Sequence, residues 1–243
     1  MIIGSLELLK DKYLGEPLFI VGNGSSLLYD QLDAIKGHYS WAMNNITLAY
    51  PHTDWRPDFY SNVTMVAARL EHHKKCAEIG VAEAEYAFVW SRNAHLIFDN
   101  PHELKGTAYL LSCYNLPIWS NLADREVSRY GNSIFTVFQL ATYLGFRQFF
   151  LLGCDMKYEP WDADKGTYNP AHFCPNYSLG KYWDDERMAL DMMRGFQIHD
   201  IAAIYIGVLG GTIWNCASDS LIEAHPKIGL ESALELARKT SGL

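Results

Sequence analysis

The chain contains no run of lysine and arginine, and its formal net charge is −8. Sequence-independent binding to nucleic acid needs a basic footprint that displaces counterions from phosphates, so that class ranks low. No stretch approaches the roughly 18 apolar residues that span a bilayer. The opening 15 residues interrupt their few apolar positions with Glu7, Lys10, Asp11 and Lys12, too charged for a secretory leader. These two absences are read as a cytoplasmic protein, peripheral to the inner membrane at most through partners. The five cysteines (Cys76, Cys113, Cys154, Cys174 and Cys216) are odd in number and form no C-x-x-C pair. Reduced thiols are therefore expected, not a disulfide framework or a zinc knuckle.

Three common nucleotide and hydrolase signatures are also missing. There is no G-x-x-x-x-G-K-[ST], which sets aside a P-loop NTPase, and no G-x-S-x-G elbow, which disfavours an α/β-hydrolase. Gly22-x-Gly24 is followed by Leu27 where a dinucleotide-binding turn has its third glycine, and no acidic residue closes the second strand. NAD and FAD are thereby disfavoured. There is neither an internal repeat nor a low-complexity linker.

What is present is bulk. Hydrophobic residues make up 49% of 243 positions, with seven Trp, fifteen Tyr and eleven Phe. That suits one large α/β domain with a substantial core. Apolar runs at Pro17–Val21, Tyr39–Met43, Asp58–Ser61, Tyr86–Trp90, Arg147–Leu152 and Thr212–Cys216 read as strands. Helical spacing covers Ser26–Lys36, Met65–Ile79, the run from Ser133 to Leu144, and a long segment from about Asp184 to Val208. Gly37, Gly80 and Gly145 read as the ends of the first three. Residues 93–122 and 156–183 lack a clear period and are expected to be irregular, lid-like segments. Strands alternating with helices predict a Rossmann-like fold over 1–243, with a mostly parallel sheet and helices on both faces.

In such sheets ligands bind beyond the carboxyl ends of the strands. Asn23, Asn44, Asn45, Asn62 and Asp155 fall there, a set rich in uncharged amide donors and acceptors. Gly22-Asn23-Gly24-Ser25-Ser26 reads as a tight strand-to-helix turn whose free N–H groups and helix dipole face an anion. Gly131-Asn132-Ser133 opens a second helix in the same manner. The two turns are expected to share one anion cleft. Asp155 follows an apolar strand and is expected in the same site. The loop beyond it carries Tyr158, Tyr168 and Tyr177, phenolic donors suited to a departing phosphate, and His172, a candidate general base.

These residues resemble a known family. Gly22-Asn23-Gly24-Ser25-Ser26-Leu27 is similar to the G-N-G-P-S-L start of bacterial lipooligosaccharide sialyltransferases, with Ser25 in place of the usual proline. Asn44 or Asn45, and Asn62, resemble their nucleotide-binding asparagines. Asn132-Ser133 and the strand ending Gly153-Cys154-Asp155 resemble their second half-site, Tyr158 and Tyr168 their phosphate-contacting tyrosines, and Cys216 to Leu221 their last strand and turn. The histidine that this family places shortly before its long helix has no counterpart in Gly180-Lys181-Tyr182. His172-Phe173-x-x-Asn176-Tyr177, followed by Trp183, is closer to the 6-hydroxymethylpterin diphosphokinase-like domain, whose bacterial members are glycosyltransferase-like.

The resemblance implies a transferase moving a nonulosonic-type sugar from a CMP-activated donor to a surface glycan, without a metal cofactor. Tyr158, Tyr168 and His172 would be catalytic. Gly22, Asn23, Gly24, Ser25, Ser26, Asn44, Asn45, Asn62, Asn132, Ser133, Asp155 and Tyr177 would hold the nucleotide. Two alternatives stand beside it. One is an ATP- and Mg2+-dependent pyrophosphokinase acting on a pterin-like substrate, with Asp155 (helped by Asp162 or Asp164) holding the metal. The other is an inactive nucleotide-binding scaffold in polysaccharide biosynthesis. The implied partners are a nucleotide or nucleotide sugar, a glycan acceptor and a second copy of the chain in a homo-oligomer.

Overall fold

The structure is a computed structural model and describes residues 4–64, 70–98, 104–157, 171–177 and 185–241. Strands run in chain order as β1 (Pro17–Val21), β2 (Ser40–Met43), β3 (Phe59–Asn62), β4 (Tyr86–Trp90), β5 (Thr107–Leu111), β6 (Cys113–Tyr114), β7 (Val127–Ser128), β8 (Gln148–Leu152) and β9 (Thr212–Asn215). The helices are α1 (Tyr29–Ala34), α2 (Glu71–Glu83), α3 (His95–Phe98), α4 (Ser133–Tyr143), α5 (Asp185–Val208) and α6 (Leu230–Ser241). Seven strands form one sheet in the order β5-β4-β3-β2-β1-β8-β9, and every neighbouring pair is parallel. β6 and β7 make a separate two-stranded ribbon. The fold is Rossmann-like α/β, with the strand order turning back between β1 and β8. That reversal opens a crevice at their carboxyl ends.

The period-2 alternation of a strand buried on both faces explains the sequence of β1. Leu18 and Ile20 enter one core with Phe149 and Leu151, under α4 and α5. Phe19 and Val21 enter the other with Phe150 and Leu152, under α1, α2 and α6. On the first face α4 contributes Phe135, Phe138 and Leu140, and α5 contributes Ile198, Ala202 and Ile206. Each large side chain so buried is worth about 1.5–3 kcal/mol, which is what holds helices to both faces.

The structure corrects several boundaries. α1 is six residues long and starts at Tyr29, not at Ser26, because Ser25 and Ser26 are bonded elsewhere. Gly80 lies inside α2, not at its end. The described part of α2 begins at Glu71, and residues 65–69 lie outside the described residues. The segment expected to be irregular contains β5, the edge strand of the sheet. α6, for which the sequence reading had no expectation, buries Ala233, Leu234 and Ala237 against the second core. Residues 158–170 and 178–184, most of the second lid-like segment, lie outside the described residues. No helix among the described residues is long and apolar enough to cross a membrane, and all five cysteines are free thiols.

Gly80 faces the ring of Tyr60, so closely that an added Cβ would overlap it. Tyr60 is fully buried, so the ring has nowhere to go. We expect Gly80→Ala to cost about 1–3 kcal/mol by overpacking. Gly207, on the exposed end of α5 with open space around it, should gain about 0.5 kcal/mol on the same change. Urea unfolding of the two variants reads both signs.

Candidate functional site

The crevice at the switch point is built on a close backbone approach. Val21 of β1 pairs with Leu152 of β8, and the two chains stay together past the sheet. The Gly22 N–H donates to Leu152 O (2.7 Å) and the Gly24 N–H to Gly153 O (2.8 Å). A Cβ on Gly22 would run into Gly153 O, and one on Gly24 into the Asp155 carboxylate. The two glycines are therefore required by protein–protein contact.

Asp155 then fastens the turn. Its Oδ2 accepts from the Ser26 N–H (2.8 Å) and the Ser25 hydroxyl (3.3 Å), and its Oδ1 from the Ser26 hydroxyl. Leu27 N–H donates to Gly24 O (3.1 Å). The first turn thus spends the N–H groups of Gly22, Gly24, Ser26 and Leu27 internally. The Ser25 and Ser26 hydroxyls point to Asp155, and the chain continues through Leu28 before α1 starts. This corrects the expectation of a helix N-terminus with free donors directly behind Gly24. The Asp155 backbone is held from the other side by Leu221 N–H (2.9 Å), and that of Cys154 by the Ser220 hydroxyl (2.8 Å) and Asn215 Nδ2 (3.3 Å).

The second turn does present a helix end. Asn132 caps α4 through its Oδ1, which accepts from the Ile134 N–H (3.1 Å). Ser133 Oγ reaches across to Asn44 Oδ1 (3.3 Å). Asn44 sits at φ +55°, a left-handed conformation that asparagine tolerates better than other side-chain-bearing residues, and its carbonyl accepts from the Tyr60 hydroxyl (2.6 Å). Gly24 and Ser133 therefore face one cleft of about 160 Å³. That is below the roughly 300–1,000 Å³ of pockets that take whole drug-sized ligands.

A third wall comes from residues 171–177. His172 forms a β-bridge with Gly24, and Phe173 N–H donates to Asn23 O (3.2 Å). The His172 ring stacks on Tyr177 at 3.8 Å and 13°. Burial, with His73 nearby, pushes the His172 pKa down to about 4, so the ring is neutral at pH 7. Its Nδ1 is buried with no hydrogen-bond partner. Asn23 Nδ2 donates to Met43 O (3.1 Å), while its Oδ1 is buried and unpartnered.

Of the residues singled out from the sequence, Gly22, Asn23, Gly24, Asn44, Asn132, Ser133, Asp155, His172 and Tyr177 line this cleft. Asn45 and Asn62 do not. Asn45 Nδ2 is shared between His73 Nδ1 (2.6 Å) and Tyr177 O (3.0 Å), and Asn62 Oδ1 accepts from Asn93 (2.9 Å). They are structural ties one layer behind the cleft. Tyr158 and Tyr168, like Asp162 and Asp164, lie outside the described residues. The sequence reading missed Met156, Lys157 and His199, which also line the cleft. Lys157 could have been found from its place two residues after Asp155. His199 is buried on α5, its Nδ1 2.9 Å from His225 Nε2, and its helix gave no periodic sign of facing a site. No group of three or more metal-ligating side chains occurs among the described residues.

No protein-family model matches the sequence, and no curated protein matches it. Among solved structures, the chain is similar to the MAf glycosyltransferase from Magnetospirillum magneticum AMB-1, with 17% identity and a TM-score of 0.56, over 95% of this chain and 38% of that one. The chain thus spans well under half the length of that protein. It is also similar to the sialyltransferase CstII from Campylobacter jejuni in complex with CMP-3FNeuAc, with 12% identity and a TM-score of 0.46, over 88% of this chain and 86% of that one. At these identities the likeness is one of fold. These neighbours are glycosyltransferases, and none of them is a pterin diphosphokinase.

Two outcomes test the site's construction. Asp155→Ala removes the acceptor for three donors, one of them a main-chain N–H, and should cost about 1–3 kcal/mol in urea unfolding. The buried histidines set a pH dependence: burial holds His73, His172 and His225 down to about 4 and pushes His199 well below its usual range. Above pH 6.5 the folded and unfolded chains are both neutral at these rings, so stability is full there. As pH falls from 6.5 towards 4, the unfolded chain takes up protons that the fold refuses. Stability should drop by up to about 1.4 kcal/mol per pH unit for each ring, a loss that begins above the carboxylate range.

Proposed function

We propose that the chain is a glycosyltransferase-like enzyme that transfers a sugar, of the nonulosonic type, from a CMP-activated donor to a glycan hydroxyl. The observation that carries this reading is the convergence of Asn44, Ser133 and the Gly22–Gly24 turn on one crevice, with the neutral, unpartnered His172 Nδ1 beside it. The Rossmann-like fold it shares with the MAf glycosyltransferase is compatible with that chemistry, and the motif resemblance to sialyltransferases supplies the cytidine and the sugar class.

In this reading the nucleotide phosphate lies against the N-terminus of α4, where aligned peptide dipoles favour negative charge by about 0.3–1 kcal/mol. Asn44, Asn132 and Ser133 supply neutral side-chain donors, and the unpartnered Asn23 Oδ1 accepts from a ribose hydroxyl or a base amine. Transfer needs the acceptor hydroxyl to lose its proton as the sugar–phosphate bond breaks. His172 takes that proton on its free nitrogen, and Tyr158 and Tyr168 donate to the leaving phosphate. A free-enzyme pKa near 4 makes His172 a weak base. The donor's phosphodiester anion, bound beside it, raises that value, towards the working pH where a general base is most effective.

The pyrophosphokinase alternative needs carboxylates free to hold Mg2+. Both oxygens of Asp155 already accept hydrogen bonds from Ser25 and Ser26, which disfavours it as a metal ligand and leaves CMP-sugar transfer as the better reading.

A thermal-shift and calorimetric screen should find stabilisation by CMP or CDP, since a ligand of the native state raises the melting temperature by mass action. Binding of ATP with no response to CMP would overturn the reading. His172→Ala should lower kcat by about 10²–10⁴-fold with nucleotide affinity little changed. In the wild type kcat/KM should stay flat from about pH 5.5 to 8, because it reports the free enzyme; an acid limb near pH 6.5 would rule His172 out.

A further inference from the structure

We propose that Lys157 is the counter-ion of the ligand's phosphate and that Asp219 holds it in reserve, exchanging places with the phosphate when the ligand binds. The inference rests on reading the cleft as a nucleotide-phosphate site, and adds the charge that this reading otherwise lacks. Among the described residues that line the cleft, Lys157 is the one lysine or arginine. The remaining polar side chains there are amides, the Ser133 and Tyr177 hydroxyls, the Cys154 thiol, neutral histidines and the Asp155 carboxylate, which already accepts three hydrogen bonds. A phosphate entering a protein of net charge −8 would otherwise meet dipoles alone.

The backbone places this cation deliberately. Asp155 is pinned on both sides, by Ser25 and Ser26 through its side chain and by Leu221 through its main chain. Met156 then turns through a left-handed conformation (φ +52°), which brings Lys157 to the mouth. A non-glycine residue held there is uncommon and is found where surrounding structure over-determines it.

Lys157 Nζ pairs with Asp219 Oδ2, a contact in which the side chains are 32% and 65% exposed. Pairs this open to water are weak and readily exchanged. The Asp219 carboxyl is held below its usual range, first by the hydrogen bond from Lys157 and further by Lys227. Lys227 is itself fixed, its Nζ donating to Ser218 O (2.8 Å) and Ser220 O (2.9 Å). When Lys157 leaves, Asp219 therefore keeps a cation nearby, and the exchange strands no charge. The phosphate monoester of CMP, or pyrophosphate, with more charge and more acceptor oxygens than one carboxylate, is the stronger partner for an ammonium group.

The exchange predicts opposite signs for the two halves of the pair, which a merely structural salt bridge would not give. Calorimetry would compare CMP, cytidine and inorganic pyrophosphate on the wild type, Lys157→Met, Lys157→Arg and Asp219→Asn. All three substitutions are at partly or largely exposed side chains. Lys157→Met should weaken CMP and pyrophosphate by about tenfold or more, leave cytidine unchanged, and lose part of the salt dependence. Lys157→Arg should retain most of the affinity, and Asp219→Asn should tighten both phosphate ligands by about threefold, because the internal competitor is gone. Pyrophosphate carries no base, so it separates the two readings: a wild type that binds pyrophosphate through Lys157 but not CMP sinks the cytidine assignment alone. Unchanged pyrophosphate binding in Lys157→Met, weaker binding in Asp219→Asn, or no pyrophosphate binding by the wild type at millimolar concentration would overturn the exchange.

Discussion

The site depends on one junction, where β1 and β8 run on together past the end of the sheet. Main-chain bonds from Gly22 and Gly24 to Leu152 and Gly153 bring the two loops to a separation that no Cβ would permit. The Asp155 carboxylate then gathers the Ser25 and Ser26 donors. Because strand order reverses at this pair, the loops beyond it diverge to opposite faces and leave the crevice between them. The cleft, the β-bridge to His172 and the position of Lys157 all hang from that junction. A carboxylate that the sequence reading placed among the nucleotide contacts, and one alternative made a metal ligand, is the rivet of the turn.

Much of this was legible because it is carried by local patterns. β1 and β4 lie where the apolar runs predict them, and β2, β3, β8 and β9 within a residue or so, since each carries a core of large apolar or aromatic side chains bounded by turn residues. The helix opened by Asn132-Ser133 was legible from its cap and its helical spacing. The face-to-face placement of Gly24 and Ser133 followed from a general rule about strand ends. β5 was not legible, because its run Thr107–Leu111 lies in a stretch, 93–122, that shows no clear period. Nor was the true start of α1, because Ser25 and Ser26 look like helix caps until the distant Asp155 claims them.

The asparagines show the same limit at the level of single residues. Four strand-end asparagines looked equivalent in sequence, yet Asn44 faces the cleft while its neighbour Asn45 turns away to tie His73 to the main chain of Tyr177. Asn62 serves Asn93. Residue type fixes what hydrogen bonds a side chain is able to make; only the fold decides who the partner is. The partner of Lys157 was invisible for the same reason, since Asp219 lies 62 positions away in the chain.

The segment carrying His172 is attached to the sheet through main-chain atoms: its N–H at Phe173 on Asn23 O, its carbonyl at Tyr177 on Asn45, and the bridge to Gly24. Attachment of that kind is indifferent to the side chains it carries. Residues between these moorings whose side chains are exposed, Pro175 and Asn176, are open to replacement without unseating the histidine. The fold thereby separates the part that positions a reactive group from the part that would choose its substrate, and related chains would diversify in the second while leaving the first untouched.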